Sequence, residues 1–154
     1  KYKGWSVCYH GTQSQFLGSI LSHGIFGTQD RTQRFFSPSI VYSSHPRYAT
    51  PQKLKDGKYI QTVFQCRIDP KVMLKKGTTT GGNHTIIDPN FSKEKQNSEI
   101  EWYLDGADID KYIVYGMMVR ISDDPATLPD SHWWSAGAKN RGGSGYRIKW
   151  RQEI

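Results

Sequence analysis

Cysteine is scarce in this chain, and long apolar runs are missing. The 154 residues contain two cysteines, Cys8 and Cys66, with neither a disulfide framework nor metal-ligand spacing around them. Both fall in segments with a strand pattern, so we predict buried free thiols in a reducing intracellular compartment, cytoplasm or nucleus. No apolar run approaches the roughly 20 residues of a membrane span, and no signal peptide is visible. We therefore expect no membrane partner and no metal.

Acidic residues are also in deficit, because 14 Asp and Glu stand against 21 Lys and Arg, for a formal net charge of +7. A basic surface favours polyanionic partners such as nucleotides, nucleic acids or acidic proteins. The length suggests a single domain, 1–154, which we expect to be monomeric and which could belong to a larger protein. Its core is predicted at 5–124, followed by an aromatic, glycine-rich basic tail at 125–154.

Strand patterns dominate what is present. Residues 5–9 form a short apolar strand, residues 12–23 carry an apolar stripe at helical spacing, and Tyr59–Ile68 alternates regularly. The remaining predicted elements are a strand entry at 35–42, a short helix at 43–49, a short strand at 72–74, a glycine-rich loop at 75–84, a strand at 85–87, a polar loop at 90–98, a strand at 99–104 and a central strand at 112–121. This succession predicts an α+β fold with mostly antiparallel sheets.

The first strand runs directly into His10-Gly11-Thr12. A histidine delivered to a glycine at a strand end lies beside exposed backbone, and a flat ligand can approach a residue without a side chain closely. Taken alone, the same tripeptide is equally typical of a strand-to-helix turn whose glycine only relieves strain.

Two later stretches bear on that choice. Tyr42 ends the second predicted strand, and Ser44 and Tyr48 follow in the short helix. Glu99 and Glu101 open a later strand and should share one face, since side chains alternate along a strand. Singly, these are half-buried tyrosines and a solvated acidic face, whereas together they predict one pocket wall built from strand ends.

This order of motifs resembles the ADP-ribosyltransferase superfamily, in particular its diphtheria-toxin-like branch with a His-Tyr-Glu triad, to which the poly(ADP-ribose) polymerases belong. The resemblance covers residues 5–121: His10-Gly11-Thr12 looks like H-G-[ST], Tyr42 like the triad tyrosine, and Tyr48 like the second, stacking tyrosine. The chain also looks similar to the transferase-like domain of neuralized-like proteins. The resemblance implies two packed, mostly antiparallel sheets with short helices and an NAD cleft between them.

The resemblance also implies roles for individual residues. NAD would be the co-substrate, with Gly11 holding its carboxamide, Ser44 adding a bond to that amide, and Tyr42 and Tyr48 sandwiching the nicotinamide ring. His10 and Thr12 would hold the adenosine ribose. A carboxylate would take the nicotinamide ribose and stabilise an oxocarbenium-like transition state.

Two departures from the family pattern affect these assignments. The interval from Tyr42 to Tyr48 is shorter than in the polymerases, which leaves the place of Ser44 open. For the carboxylate, the E-x-E pattern points to Glu101 as catalytic and Glu99 as facing the acceptor, while counting back from Lys111 fits Glu99. We favour Glu101.

The implied activity is NAD-dependent transfer of ADP-ribose to a macromolecule, with protein preferred and nucleic acid as the alternative acceptor. Lysines in the loops at 75–84 and 88–98 would make the acceptor side positive. Three other readings remain open: an inactive module that binds NAD or ADP-ribose, a nucleic-acid module using Trp133-Trp134 and the basic tail, and an RNA 2′-phosphotransferase. The last is disfavoured because its sites lack the catalytic glutamate.

Overall fold

The computed structural model describes residues 2–25, 32–79, 88 and 90–123, and the fold is α+β as predicted. The tail at 125–154, the strand predicted at 85–87 and residues 80–84 of the glycine-rich loop lie outside these residues. The described elements are β1 (Ser6–Thr12), α1 (Leu17–His23), β2 (Arg34–Phe36), α2 (Ile40–Ser43), β3 (Gln52–Lys53), β4 (Tyr59–Ile68), β5 (Leu74–Lys76), α3 (Lys93–Glu99), β6 (Glu101–Leu104) and β7 (Tyr112–Ser122).

The larger sheet is built around β4, whose predicted bounds are confirmed. β1 and β3 pair with one edge of β4, and β7 pairs with the other, all antiparallel. The prediction that the 112–121 run is the central strand is wrong, because within the described residues β7 pairs with β4 alone. The apolar composition of this run suggested a buried, central position, but its Met117 and Ile121 are 44% and 59% exposed.

The smaller sheet has the order β2-β6-β5, also antiparallel. A single antiparallel bridge between Tyr9 of β1 and Ser37 links its first strand to the larger sheet. Residues 74–76 form β5, so the predicted strand at 72–74 is displaced, and Lys75 and Lys76 belong to a strand rather than to a loop.

The main core lies between the two sheets and α1. Cys8, Phe64, Cys66 and Ile68 of the larger sheet pack with Phe36 and Leu104 of the smaller one and with Ile20 of α1. The two cysteines are directly opposite in the β1–β4 pair and are buried free thiols, as predicted. Burial raises the pKa of the Cys66 thiol to about 12, so it is protonated at neutral pH.

Tyr42 lies in a helix, not at a strand end as predicted. β2 stops at Phe36, and the Ser39 side chain caps α2 by accepting a hydrogen bond from the Tyr42 amide at 3.0 Å. The predicted helix at 43–49 is instead a series of turns, in which the Tyr48 and Ala49 amides both donate to the His45 carbonyl. The β-branched Ile40 and Val41 gave this segment a strand-like pattern.

Residues 90–98 were predicted to be a loop, but Lys93–Glu99 form α3. The Ser92 side chain caps it by accepting from the Lys95 amide, with Glu94 in the first turn. Glu99 therefore ends a helix and Glu101 begins β6, so the two carboxylates do not share a strand face. None of the helices that the structure describes is long and apolar enough to cross a membrane.

Candidate functional site

β1 positions His10 at the edge where the two sheets approach. Its Nδ1 lies 2.8 Å from the carbonyl oxygen of Phe35. Because a carbonyl can only accept, Nδ1 carries the proton, and Nε2 of the neutral ring is the acceptor. Burial lowers the pKa of His10, with the bond to Phe35 opposing that effect and Arg34 adding to it. The imidazole is therefore a neutral acceptor at physiological pH.

Gly11 presents its backbone to the same edge. The Tyr9 N–H donates to the Ser37 carbonyl at 2.8 Å, and the Tyr9 carbonyl accepts from the Ser37 amide at 2.9 Å, so Tyr9 points its backbone groups away from β4. In an antiparallel ladder, alternate residues point these groups to the same side. Gly11 therefore aims one donor and one acceptor away from β4.

Close packing explains why this position is glycine. A Cβ at Gly11 would collide with the Ser43 carbonyl oxygen and would lie 2.9 Å from the Tyr48 Cβ. The φ angle of Gly11 is not positive, so backbone strain is not the reason. The absent side chain instead allows the segment after α2 to approach β1.

Tyr42 and Tyr48 lie against each other rather than apart. Their ring centroids are 5.3 Å apart at 50°, and their hydroxyl oxygens are 2.9 Å apart. This is the separation of two aromatic rings in direct contact, which leaves no gap for a third ring. The predicted sandwich of a nicotinamide between them is therefore not available in this arrangement.

Glu101 accepts hydrogen bonds from three hydroxyl groups of the site. Its Oε1 lies 2.5 Å from the Tyr42 hydroxyl, 2.6 Å from the Thr79 hydroxyl and 3.0 Å from the Tyr48 hydroxyl. The Lys76 ammonium lies 3.1 Å from Oε2. Thr79 also donates its backbone N–H to the Tyr42 oxygen at 3.1 Å, so the tyrosine proton is directed at the carboxylate.

These partners keep Glu101 ionised although it is 4% exposed. Burial is the largest single influence and acts to raise its pKa. The hydrogen bonds from Thr79 and Tyr42 and the bond and charge of Lys76 together outweigh it, so the pKa of Glu101 lies below the ordinary value. The site thus holds a fixed negative charge.

Two adjoining cavities meet at these residues. The smaller, about 60 Å³, has room for several waters and is lined by Tyr9, His10, Gly11, Phe35, Phe36, Ser37, Tyr42, Ser43, Tyr48 and Glu101. The larger, about 730 Å³, shares four of these residues and adds Thr32, Gln33, Arg47, Lys76 and Thr79. A volume of this size is typical of a small-molecule site.

The structure brings together five of the predicted site residues: His10, Gly11, Tyr42, Tyr48 and Glu101. Glu99 is elsewhere, paired with Lys75 at 3.3 Å on an exposed surface. Thr12 and Ser44 are buried and line neither cavity, and their hydroxyls donate to backbone carbonyls, of Gln13 and Val41 respectively.

Several lining residues were not singled out from the sequence as pocket residues, among them Ser43, Lys76 and Thr79. Ser43 stands beside the predicted Ser44 and donates to the Tyr9 carbonyl at 3.2 Å. Lys76 and Thr79 lie in a segment predicted to be a flexible, polar loop. The β5–β6 pairing reveals Lys76, and the hydrogen bonds of Thr79 to Tyr42 and Glu101 reveal Thr79. His45, just before Pro46, is buried at 6% exposure, and its ring packs near Tyr48.

No family model matches this chain, and no curated protein matches it either. Among the described residues, no group of three or more His, Cys, Asp or Glu side chains could hold a metal ion. A neutral imidazole, an outward-facing glycine backbone, two tyrosines and one buried carboxylate surround a cavity that opens into a wider cleft.

Proposed function

We propose that this chain is an NAD-dependent ADP-ribosyltransferase that moves ADP-ribose from NAD to a macromolecular acceptor and releases nicotinamide. The observation that carries the proposal is the meeting of the Gly11 backbone edge and the Glu101 carboxylate at one aromatic cavity. The first suits a planar amide, and the second suits a developing positive charge. The order of motifs along the chain supports the same function.

Nicotinamide would bind through its carboxamide to Gly11. A carboxamide has one donor and one acceptor in a plane, which matches the N–H and C=O that Gly11 directs outward. The ring would then lie against Tyr48, a contact worth about 0.5–1.5 kcal/mol beyond burial. It would stack on one tyrosine rather than between two.

Glu101 would act on the ribose next to that ring. Cleavage of the bond to nicotinamide leaves an oxocarbenium-like ribosyl cation, and a fixed carboxylate nearby lowers the energy of that transition state. A group of this kind contributes about 3–4 kcal/mol. For a ribose hydroxyl to reach Oε1, one of the three hydroxyls that now donate to it must yield its place.

His10 and the wider cleft would hold the rest of the molecule. The unprotonated Nε2 of His10 can accept a hydrogen bond from a ribose hydroxyl. Arg47 lines the 730 Å³ cleft and would meet the negatively charged pyrophosphate there. A protein acceptor with an acidic or polar side chain would enter from this open side, with DNA or RNA as the alternative acceptor.

The test is incubation with NAD labelled in its adenosine part, together with a mixed protein panel, DNA and RNA. Nicotinamide release is measured alongside the position of the label. We expect nicotinamide release and label on protein. Label on nucleic acid ends would instead identify the alternative acceptor, and no nicotinamide release with any acceptor would refute the transferase proposal.

A module that binds NAD or ADP-ribose without cleaving it is the second candidate. The specific observation in its favour is that Oε1 of Glu101 already accepts from three hydroxyls, which leaves it crowded. Calorimetric titration with NAD beside the same incubation separates the candidates, because saturable binding of NAD without nicotinamide release is expected only of the binding module.

A further inference from the structure

We propose that Lys76 is a positioning residue for Glu101: its ammonium pairs with Oε2 of the carboxylate and so leaves Oε1 to meet the hydroxyls at the cavity. This inference rests on the proposed function for its catalytic meaning, but the charge relation between the two side chains can be tested without any substrate.

The sheet register places the two residues together. Lys76 of β5 is directly opposite Glu101 of β6 in the antiparallel pair. Side chains in this relation lie on the same face and contact each other. The Lys76 ammonium bonds Oε2 at 3.1 Å, on the oxygen that the tyrosines and Thr79 leave alone. Oε2 is thus paired with a cation, and Oε1 accepts hydrogen bonds from the hydroxyls.

Aromatic rings fix the ammonium in this place. It lies 4.3 Å from the centroid of the Phe35 ring and 5.9 Å from that of Tyr103. Phe35 and Tyr103 are themselves opposite each other in the β2–β6 pair. A cation over two ring faces is held more firmly than one on a flexible surface side chain. Lys76 is therefore oriented both by packing on these two rings and by the charge of Glu101.

The neighbouring ion pair shows what an ordinary surface contact looks like in this chain. Lys75 and Glu99 lie 3.3 Å apart, and both side chains are 43% exposed. In the Lys76–Glu101 pair the side-chain exposures are 37% and 6%, so the carboxylate is far more shielded from water. The adjacent lysines thus pair with different glutamates, and of these two pairs only Lys76–Glu101 lines the cavity.

Other titratable groups around Glu101 do not replace Lys76. Tyr42 and Tyr48 face the carboxylate as hydrogen-bond donors, and His10 lines the same cavity as a neutral ring because burial lowers its pKa. Arg47 lines the wider cleft but directs its guanidinium to the Thr79 carbonyl at 3.4 Å. Among the described residues, Lys76 is the cation that forms an ion pair with Glu101.

Without the charge of Lys76, less would oppose the effect of burial, which raises the pKa of Glu101. A nearby opposite charge lowers a carboxyl pKa by about 1–3 units, so Lys76→Met should raise the pKa of Glu101 by that amount. Methionine retains the packing on the two rings. Lys76→Arg should keep the pKa low, and Lys75→Met should leave it unchanged.

The experiment is a carbon-13 NMR titration of glutamate carboxyls in the full chain, with Glu101→Gln used to assign the Glu101 signal. Proton–nitrogen spectra check that each variant is folded, and Lys76→Gln is the second variant if Lys76→Met unfolds. The same variants are then assayed for nicotinamide release against pH. We expect the acid limb of this profile to move up by about 1–3 units with Lys76→Met and not with Lys75→Met.

Each outcome decides between the claims. An unshifted Glu101 pKa in folded Lys76→Met overturns the inference, whatever the activity. A shifted pKa with an unshifted activity profile overturns the catalytic meaning of Lys76. A shifted pKa in a chain whose wild type releases no nicotinamide upholds the charge relation and rejects the proposed transferase instead.

Discussion

Gly11→Ala tests the packing on which the whole site depends. The added Cβ would collide with the Ser43 carbonyl oxygen and lie 2.9 Å from the Tyr48 Cβ. The first obstacle is backbone and the second is the root of a side chain, so neither can swing aside as a flexible side-chain end would. Overpacking of this kind typically costs about 1–3 kcal/mol of unfolding free energy. In a domain of this size that lowers the melting temperature by about 2–12 °C.

Gly18→Ala is the paired substitution. Gly18 lies in α1, and a Cβ built there meets nothing within 4 Å. Alanine in a helix is favoured over glycine by about 0.5–1 kcal/mol, so this variant should be equally stable or more stable than the wild type. Thermal and urea unfolding of the three proteins provides the comparison. The reasoning is refuted if Gly11→Ala unfolds at the wild-type midpoint, since the segment at 43–48 could then withdraw freely from β1.

Further predictions concern the pocket tyrosine and acid sensitivity. Tyr48→Ala should weaken binding of nicotinamide mimics about tenfold or more through lost stacking and burial. The control is Tyr115→Ala, because Tyr115 lies on β7 and lines neither cavity, and its affinity should not change. Calorimetry measures both affinities, and equal values for the two variants would remove Tyr48 from the pocket. Burial and, secondarily, Arg47 lower the pKa of His45 to about 3, below the 6.5 expected when unfolded. Below pH 6.5 the unfolded chain therefore binds the proton first, and stability should fall by about 1.4 kcal/mol per pH unit down to about pH 3. Urea unfolding at several pH values should show a shallower decline in His45→Gln, and an identical decline would mean that His45 is not held neutral.

Patterns confined to one strand or one local motif could be predicted from the sequence. The alternation of Tyr59–Ile68 is regular along its whole length, and the structure has a strand with those bounds. The two cysteines lie at core positions of β1 and β4 because each follows the period of its own strand. The gathering of His10, Tyr42, Tyr48 and Glu101 was expected from the order of motifs, and these residues do line one cavity.

Short elements defined by a cap were harder to predict. α2 has four residues, two of them β-branched, and depends on the Ser39 cap rather than on propensity. α3 carries little apolar periodicity, so its Ser92 cap was the available signal. Because α3 was not predicted, Glu99 was assigned to the following strand, and the choice between Glu99 and Glu101 as the catalytic carboxylate stayed open. Register between strands is not written in any local pattern, which is why Lys76 could not be assigned to Glu101 beforehand.

The central claim is that Glu101 acts on the nicotinamide ribose, and Glu101→Gln compared with Glu99→Gln tests it most directly. The measurement is the rate of nicotinamide release at saturating NAD, with NAD affinity determined separately for each variant. Glu101→Gln should retain NAD affinity and lose about 10² or more in rate, because the charge acts mainly on the transition state. Glu99→Gln, whose side chain pairs with Lys75 on an exposed surface, should remain close to the wild type. A slow Glu99→Gln variant beside a normal Glu101→Gln variant would contradict the account.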